Sequence, residues 1–412
     1  MSGIKILFIT ASHPPHHAGG YELRCKNIID LLVQRGHKIK IITTKCVEKS
    51  CDLHKWEKNI HRQFHKEDPS KSLIVKIYRD YKDIKFFDKI VTSYQPDLIL
   101  LGHIINLTRT IFPYLAESNV PIVFDEGAKG MLWVWSHHGP WFKLIERKSD
   151  SVIKNKLKEI IVYSGNKLSG GLLKKQWRWP VHMRGYFNSE LNLRNALAEG
   201  LPVDGSPVIH SGVDINQFPF KFRPEIKPPI RIIVPGRIET RKGQIDAVLL
   251  LAYLRKIKID ASLIIVGKIK SISYSQEIIK EIKELNLGDR IKILPMVDHD
   301  VLATLYQEAD ICFFPSFAKT GFSRVPLEAM ASGCLVFTYG HEGSDEIFMN
   351  NEIGFIVPYG GFKSIGKIIQ NLVSDSKIYR NIINNARRVV EHRYSMEKYV
   401  DKIEAFLKEA IR

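Results

Sequence analysis

The sequence predicts an α/β protein built from two doubly wound, parallel-sheet domains. Three observations lead there. At 412 residues the chain is too long for one ordinary core. In both halves, short apolar runs alternate with segments of helical spacing, which is the pattern of βαβ units. Between the halves, Gln217–Pro229 (QFPFKFRPEIKPP) carries four prolines and no helical period, as a linker does. The expected division is a first domain over 1–214, a linker over 215–229 and a second domain over 230–392, with 393–412 as a terminal helix.

Composition narrows the class. A 44% hydrophobic, 25% charged chain is ordinary for a soluble globular protein, and no apolar run reaches the length of a membrane span. The run Ile4–Thr10 leads straight into a loop without a small-residue cleavage site, so no signal peptide is expected. Five scattered cysteines point to reduced thiols and a cytoplasmic setting. The abundance of Ile and Lys fits a bacterial origin. The net charge of +17 implies an anionic partner, either a phosphorylated small molecule or a membrane surface. Nucleic acid is not expected, because no recognised module or aromatic-basic platform accompanies the charge.

The first domain opens with a strand, Ile4–Thr10, a Pro/Gly loop, Ala11–Gly20, and a helix, Tyr21–Arg35, stopped by Gly36. Gly19 and Gly20 let backbone amides approach a phosphate at the helix start, or else make only a tight turn. Ile39–Thr43 is the next strand. Cys46–Lys71 reads as polar and irregular; it holds Cys46, Cys51, His54, His61 and His65, but their spacing fits no standard zinc site and no metal is expected. Leu73–Ile77, Leu98–Leu101 and Ile122–Phe124 read as strands. His103 lies just past one of them, at the ligand-facing end of a parallel sheet. Asp125–Gly139 (DEGAKGMLWVWSHHG) follows another strand end and offers Asp125, Glu126, Trp133 and His137 as acceptor-binding candidates. From Lys143 to Arg184 basic residues interleave with tryptophans, and three readings stand: a solvated face, an acceptor-binding wall, or a patch resting on anionic lipid at the inner face of the plasma membrane. Val181–Phe187 is a strand, Ser189 caps a helix over Glu190–Glu199, and Pro207–His210 is a short strand.

After the linker the pattern restarts. Ile230–Val234 is a strand, PGRIETRKG a loop, and Gln244–Arg255 a helix. Arg237, Arg241 and Lys242 stand on that loop, beside a helix start. Two of them would clamp a diphosphate without a metal; the alternative is exposed loop charge. Ser262–Val266, Ile291–Leu294 and Ile311–Phe314 are strands, with helices over Ser275–Leu285 and Val301–Glu308. The stretch from Asp310 to Ile347 is a β-loop-α-β unit. Its loop ends at Gly321, its helix runs over Phe322–Ser332 with Gly333 as a stop, and its second strand is Cys334–Thr338. Glu328 lies about two turns into that helix, as a ligand group or a solvated carboxylate. Ser395 caps a last helix, Met396–Ile411.

In this order the segments resemble the retaining GT-B glycosyltransferases of the family 4 type, the glycosyl transferases group 1. The matching motifs are Gly19-Gly20 before the first long helix, Asn188-Ser189-Glu190, SGVDINQF (Ser211–Phe218), Gly236-Arg237 with Lys242-Gly243, Pro315-Ser316, and LEAMASG (Leu327–Gly333). The likeness covers nearly the whole chain and is closest from Val208 onward.

The resemblance implies an enzyme that moves a hexose from a nucleoside-diphosphate-sugar of UDP or GDP type to an acceptor hydroxyl, without metal or other cofactor, in polysaccharide biosynthesis. It implies that Arg237 and Lys242 grip the donor diphosphate, that Glu328 bonds the ribose, and that Gly19-Gly20 close on the diphosphate. His103 would approach the reacting sugar carbon, and Gly321, Phe322 and Ser323 would offer amides to the donor sugar. The terminal helix would cross back to the first domain. Where the family has the first of two glutamates, this chain has Thr320, whose hydroxyl bonds a sugar without charge. That departure leaves open a donor-binding relative without turnover; a phosphorylase or epimerase of the same fold is the other alternative. The acceptor is a glycan, a lipid-linked saccharide or a small metabolite.

Overall fold

The computed structural model describes residues 3–14, 20–45, 59–127, 130–147, 149–319, 321–348 and 351–412. The chain folds as two compact units, one made of 1–188, 192–209 and 400–412, the other of 189–191 and 210–399. The terminal helix, Met396–Ala410, thus begins in the second unit and ends in the first.

The first unit is a six-stranded sheet of β1 (Lys5–Ile9), β2 (Lys38–Thr44), β3 (Ile60–Phe64), β4 (Leu98–Leu101), β5 (Ile122–Glu126) and β6 (Arg184–Phe187), in the order β3-β2-β1-β4-β5-β6. Its described pairings are all parallel. β1 and β4 are apolar runs because helices cover both faces, and every residue of β4 is buried. The second unit repeats the plan with β7 (Ile230–Pro235), β8 (Ala261–Val266), β9 (Ile291–Leu294), β10 (Ile311–Phe314), β11 (Leu335–Thr338) and β12 (Phe355–Ile356), ordered β12-β11-β10-β7-β8-β9 and likewise parallel. In each sheet the chain order reverses at one place, between β1 and β4 and between β7 and β10. Open sheets bind ligands at that reversal, outside the carboxyl ends of the strands.

Four expectations need correction. Leu73–Ile77 is not a strand but the start of a helix, Leu73–Tyr94, whose first turn is capped by the Ser72 hydroxyl accepting from the Val75 amide. Its buried stripe, Ile84, Phe87 and Ile90, has helical spacing; the β-branched run at its start mimics a strand. β3 lies inside the tract read as irregular, because an edge strand reading IHRQF buries only Phe64. Pro207–His210 contributes one isolated bridge, Val208 to Phe187, rather than a strand. The helix expected from Phe322 begins at Val325, with Pro326 in its first turn and Gly333 at positive φ closing it.

Candidate active site

The second unit gathers its site at the carboxyl ends of three neighbouring strands, β7, β10 and β11. β7 is followed by Gly236, whose φ of 139° admits only glycine comfortably, and the chain then turns through Arg237 to the helix Gln244–Lys256. Gly243 stands at φ 66° against the Pro315 carbonyl, so a side chain there would collide with the end of β10. The Phe317 amide donates to the Arg241 carbonyl at 3.0 Å, tying the loop after β10 to the loop after β7. The Ser323 amide donates to the Glu342 carbonyl at 2.9 Å, tying the same loop to the one after β11.

Charge is arranged on this frame in a specific way. Lys242 reaches Glu342, Nζ to Oε2, at 2.5 Å, and its ammonium lies 5.5 Å from the Phe314 ring centroid. Arg237 and Arg241 both reach Glu239, at 3.3 and 2.9 Å, with their side chains about half exposed. Gln244 donates to the Arg237 carbonyl at 2.9 Å and steadies the turn. Glu328 is buried: the Tyr306 hydroxyl donates to its Oε2 at 3.3 Å and the Arg324 guanidinium lies 3.8 Å from its Oε1. It is therefore not a solvated helix carboxylate. Phe322 packs its ring 5.1 Å from the His210 ring, and His210 bonds Glu346 at 2.7 Å. Burial pushes the Glu346 carboxyl up, but His210 and the Glu190 and Leu191 amides outweigh it and hold the group below its ordinary value.

The first unit brings together a second group. Gly20 opens the helix Gly20–Gln34, which carries Tyr21, Glu22 and Arg24. The His103 ring, just past β4, lies 3.8 Å from the buried Glu22 carboxylate and 5.2 Å from the Tyr21 ring. Burial pushes the His103 imidazole below its ordinary value, against the pull of Glu22. Arg24 meets Asp125 at 2.6 Å with both side chains almost wholly buried. Burial raises the Asp125 carboxyl, against the lowering pull of Arg24.

Of the residues singled out from sequence, Arg237, Lys242, Gly321, Phe322, Ser323 and Glu328 all fall on the three connected loops or the first turn of the helix Val325–Ser332. Gly19 and Thr320 lie outside the described residues. Asp125 and Glu126 have internal tasks instead of open oxygens. Asp125 holds Arg24, while the two Glu126 oxygens accept from the Gly130 and Met131 amides at 3.0 and 2.6 Å. Trp133 and His137 gather on Arg109, which lies 4.0 Å over the indole and donates to the His137 carbonyl at 3.0 Å. Glu342, Tyr306, Arg324 and the His210–Glu346 pair were not singled out; Glu342 follows β11 in a Gly-containing turn, and no local spacing links it to Lys242. Among the described residues no group of three or more His, Cys, Asp or Glu side chains is placed to hold a metal.

Residues 216–389 match the family model described as glycosyl transferases group 1. The capsular polysaccharide biosynthesis glycosyltransferase CapM of Staphylococcus aureus is 25% identical over 202 residues, 48% of this chain and 52% of that protein. The amylovoran biosynthesis glycosyltransferase AmsK of Erwinia amylovora is 23% identical over 264 residues, 59% of this chain and 64% of that protein. The chain thus spans about half to two thirds of the length of these two relatives. An uncharacterized glycosyltransferase of Methanocaldococcus jannaschii matches more fully, at 23% identity over 96% of this chain and 95% of its own. Among solved structures, a glycosyltransferase of Rickettsia africae superposes with a TM-score of 0.71 at 19% identity over 100% of both chains. HepE of Anabaena, in complex with UDP and glucose, superposes with a TM-score of 0.67 at 20% identity, covering 98% of this chain and 100% of its own.

Proposed function

We propose, from the match of residues 216–389 to the glycosyl transferases group 1 model and from the GT-B fold, that the protein is a retaining glycosyltransferase of the family 4 type. Its donor is a nucleoside-diphosphate-sugar of UDP or GDP type, and its acceptor a hydroxyl on a glycan, a lipid-linked saccharide or a small metabolite. The setting is the cytoplasm of a bacterium and the pathway polysaccharide biosynthesis. The names of the capsular and amylovoran relatives and the UDP in the HepE complex support the donor class and the pathway.

One observation carries the reading. Lys242 and Arg237 stand at the reversal point of the second sheet, beside the start of the helix Gln244–Lys256. That is where fixed cations and free amides serve a diphosphate. As the bond from the anomeric carbon to the diphosphate oxygen breaks, negative charge grows on the leaving group. Cations already fixed there stabilise the transition state more than the ground state. The acceptor hydroxyl attacks on the leaving-group face, the new glycosidic bond forms, and a diphosphate oxygen takes the hydroxyl proton; the two cations do the work a metal would otherwise do. Glu328 bonds the ribose, and Gly321, Phe322 and Ser323 face the donor sugar. The first unit takes the acceptor.

A thermal-shift screen of nucleoside diphosphates and their sugars tests this reading, since a ligand that binds only the folded protein raises its melting point. One base should stand out, with its diphosphate and its sugar both stabilising. A flat response to every nucleotide would overturn the donor assignment.

A further inference from the structure

The helix Val152–Leu168 in the first unit has no buried residue along its 17 positions. Its inner side is thin. Gly165 lies under the Trp141 ring at 2.6 Å from where a side chain would start, Asn155 and Asn166 donate to the Ser149 and Leu173 carbonyls, and Lys158 donates to the Arg147 carbonyl. Its outer side is apolar: Ile153 is 80% exposed, Leu157 56%, Ile160 61% and Leu168 85%. At ~100° per residue these four share one arc of the helix, with Ile161 at its border. Exposed lysines flank that arc, Lys154 on one side and Lys156 and Lys167 on the other. Nearby, Ile77 and Tyr81 of the helix Leu73–Tyr94 pack in the same small cluster as Val162, and that helix leaves Ile74 80% and Tyr78 54% exposed.

An exposed apolar arc of this size is costly in water and marks a surface that something covers. The charge around it says what. Between Lys143 and Arg184 the sequence has eleven Lys and Arg against Glu146, Asp150 and Glu159. An apolar stripe bordered by lysines on a surface helix is the geometry of an element lying in the plane of an anionic bilayer, with side chains at the acyl boundary and ammonium groups among the headgroups. We infer that the helix Val152–Leu168 seats the protein on an anionic membrane surface, Ile153, Leu157, Ile160 and Leu168 entering the bilayer and Lys154, Lys156 and Lys167 pairing with lipid phosphates. No helix among the described residues is long and apolar enough to cross a membrane, so the contact is at the surface. The inference stands apart from the reaction proposed above, and lipid binding is measured separately from nucleotide binding.

Co-sedimentation of the full chain with vesicles tests it, comparing phosphatidylcholine containing phosphatidylglycerol with phosphatidylcholine alone. The protein should pellet with the anionic vesicles and stay in solution with the neutral ones, and added salt should release it. A variant with Ile153→Ser, Leu157→Ser and Ile160→Ser, and a second with Lys154→Glu, Lys156→Glu and Lys167→Glu, should each bind about tenfold or more weakly. Both should keep the wild-type melting point, because the altered side chains contact little else. Failure of the wild type to bind anionic vesicles, equal binding to both vesicle types, or undiminished binding by either folded variant would overturn the inference. So would a dimer in the absence of lipid that the serine variant dissolves, since a second copy would then be the occupant.

Discussion

The Glu342 carboxylate closes on the Lys242 ammonium at 2.5 Å, joining two loops 100 residues apart, with about one tenth of each side chain exposed. The cation assigned to the donor diphosphate is therefore already matched by an internal anion. On the proposed reading, a diphosphate arriving at Lys242 would compete with Glu342 for the same ammonium. Glu342 also holds φ at 54°, an uncommon conformation for a residue with a side chain, and its carbonyl fixes the Ser323 amide.

Glu342→Gln should therefore bind the nucleoside diphosphate more tightly than the wild type, because the competing charge is gone while the side chain keeps its size. Isothermal titration with the best diphosphate from the screen checks this. Unchanged or weaker affinity would mean that the carboxylate does not compete for the ammonium.

Arg237→Ala should lower turnover by about 10²–10³, the usual effect of removing one group that stabilises developing charge. Its side chain is 49% exposed and its ion pair with Glu239 is a surface contact, so the melting point should hardly move. Steady-state kinetics beside a thermal melt separates the two effects. A variant with full turnover would remove Arg237 from the clamp.

The Arg24–Asp125 pair serves stability. With side chains 3% and 2% exposed, it leaves a buried, uncompensated carboxylate when Arg24 is removed. Arg24→Leu should cost about 3–5 kcal/mol in denaturant unfolding, and the double change to leucine at both positions should recover much of that. A single change costing under about 1 kcal/mol would contradict the assignment.

A pH effect follows from Asp83. Burial pushes its carboxyl up to about 8 and, at its partner 2.6 Å away, pushes the His65 imidazole down to about 4. Near pH 6 the pair is thus a neutral acid bonded to a neutral ring. A carboxyl whose folded value is raised binds its proton more tightly in the native state, so its contribution is fully present below the unfolded value, near pH 4. It is lost as pH rises through about 8. The stability difference between wild type and Asp83→Asn should shrink across that window. A difference that grew with pH would show that Asp83 is ionised in the fold.

What was legible in the sequence was what burial writes locally. β1, β4, β10 and β11 are short apolar runs because helices sandwich them, and the loops that follow inherit their positions from those strands. β3 left no such mark, having little apolar surface to hide. The opening of the helix Leu73–Tyr94 misled because Leu73, Ile74 and Val75 are exposed apolar residues rather than a covered strand, and only Ser72 signalled a helix start. At the site, Arg237, Lys242 and Glu328 were visible as types at motif spacing. Their partners Glu239, Glu342 and Tyr306 were not, since two of the three come from distant segments that only the fold brings near. Asp125 and Glu126 looked available because a strand end usually presents its side chains; Arg24 and two helix amides claim them instead.

The central claim is that Lys242 stabilises a departing diphosphate, and the most direct measurement is release of nucleoside diphosphate from the donor in the presence of acceptor, comparing wild type with Lys242→Ala. The wild type should turn over, and the variant should lose about 10²–10³ in rate while still unfolding cooperatively. Equal rates in the two proteins would contradict the account.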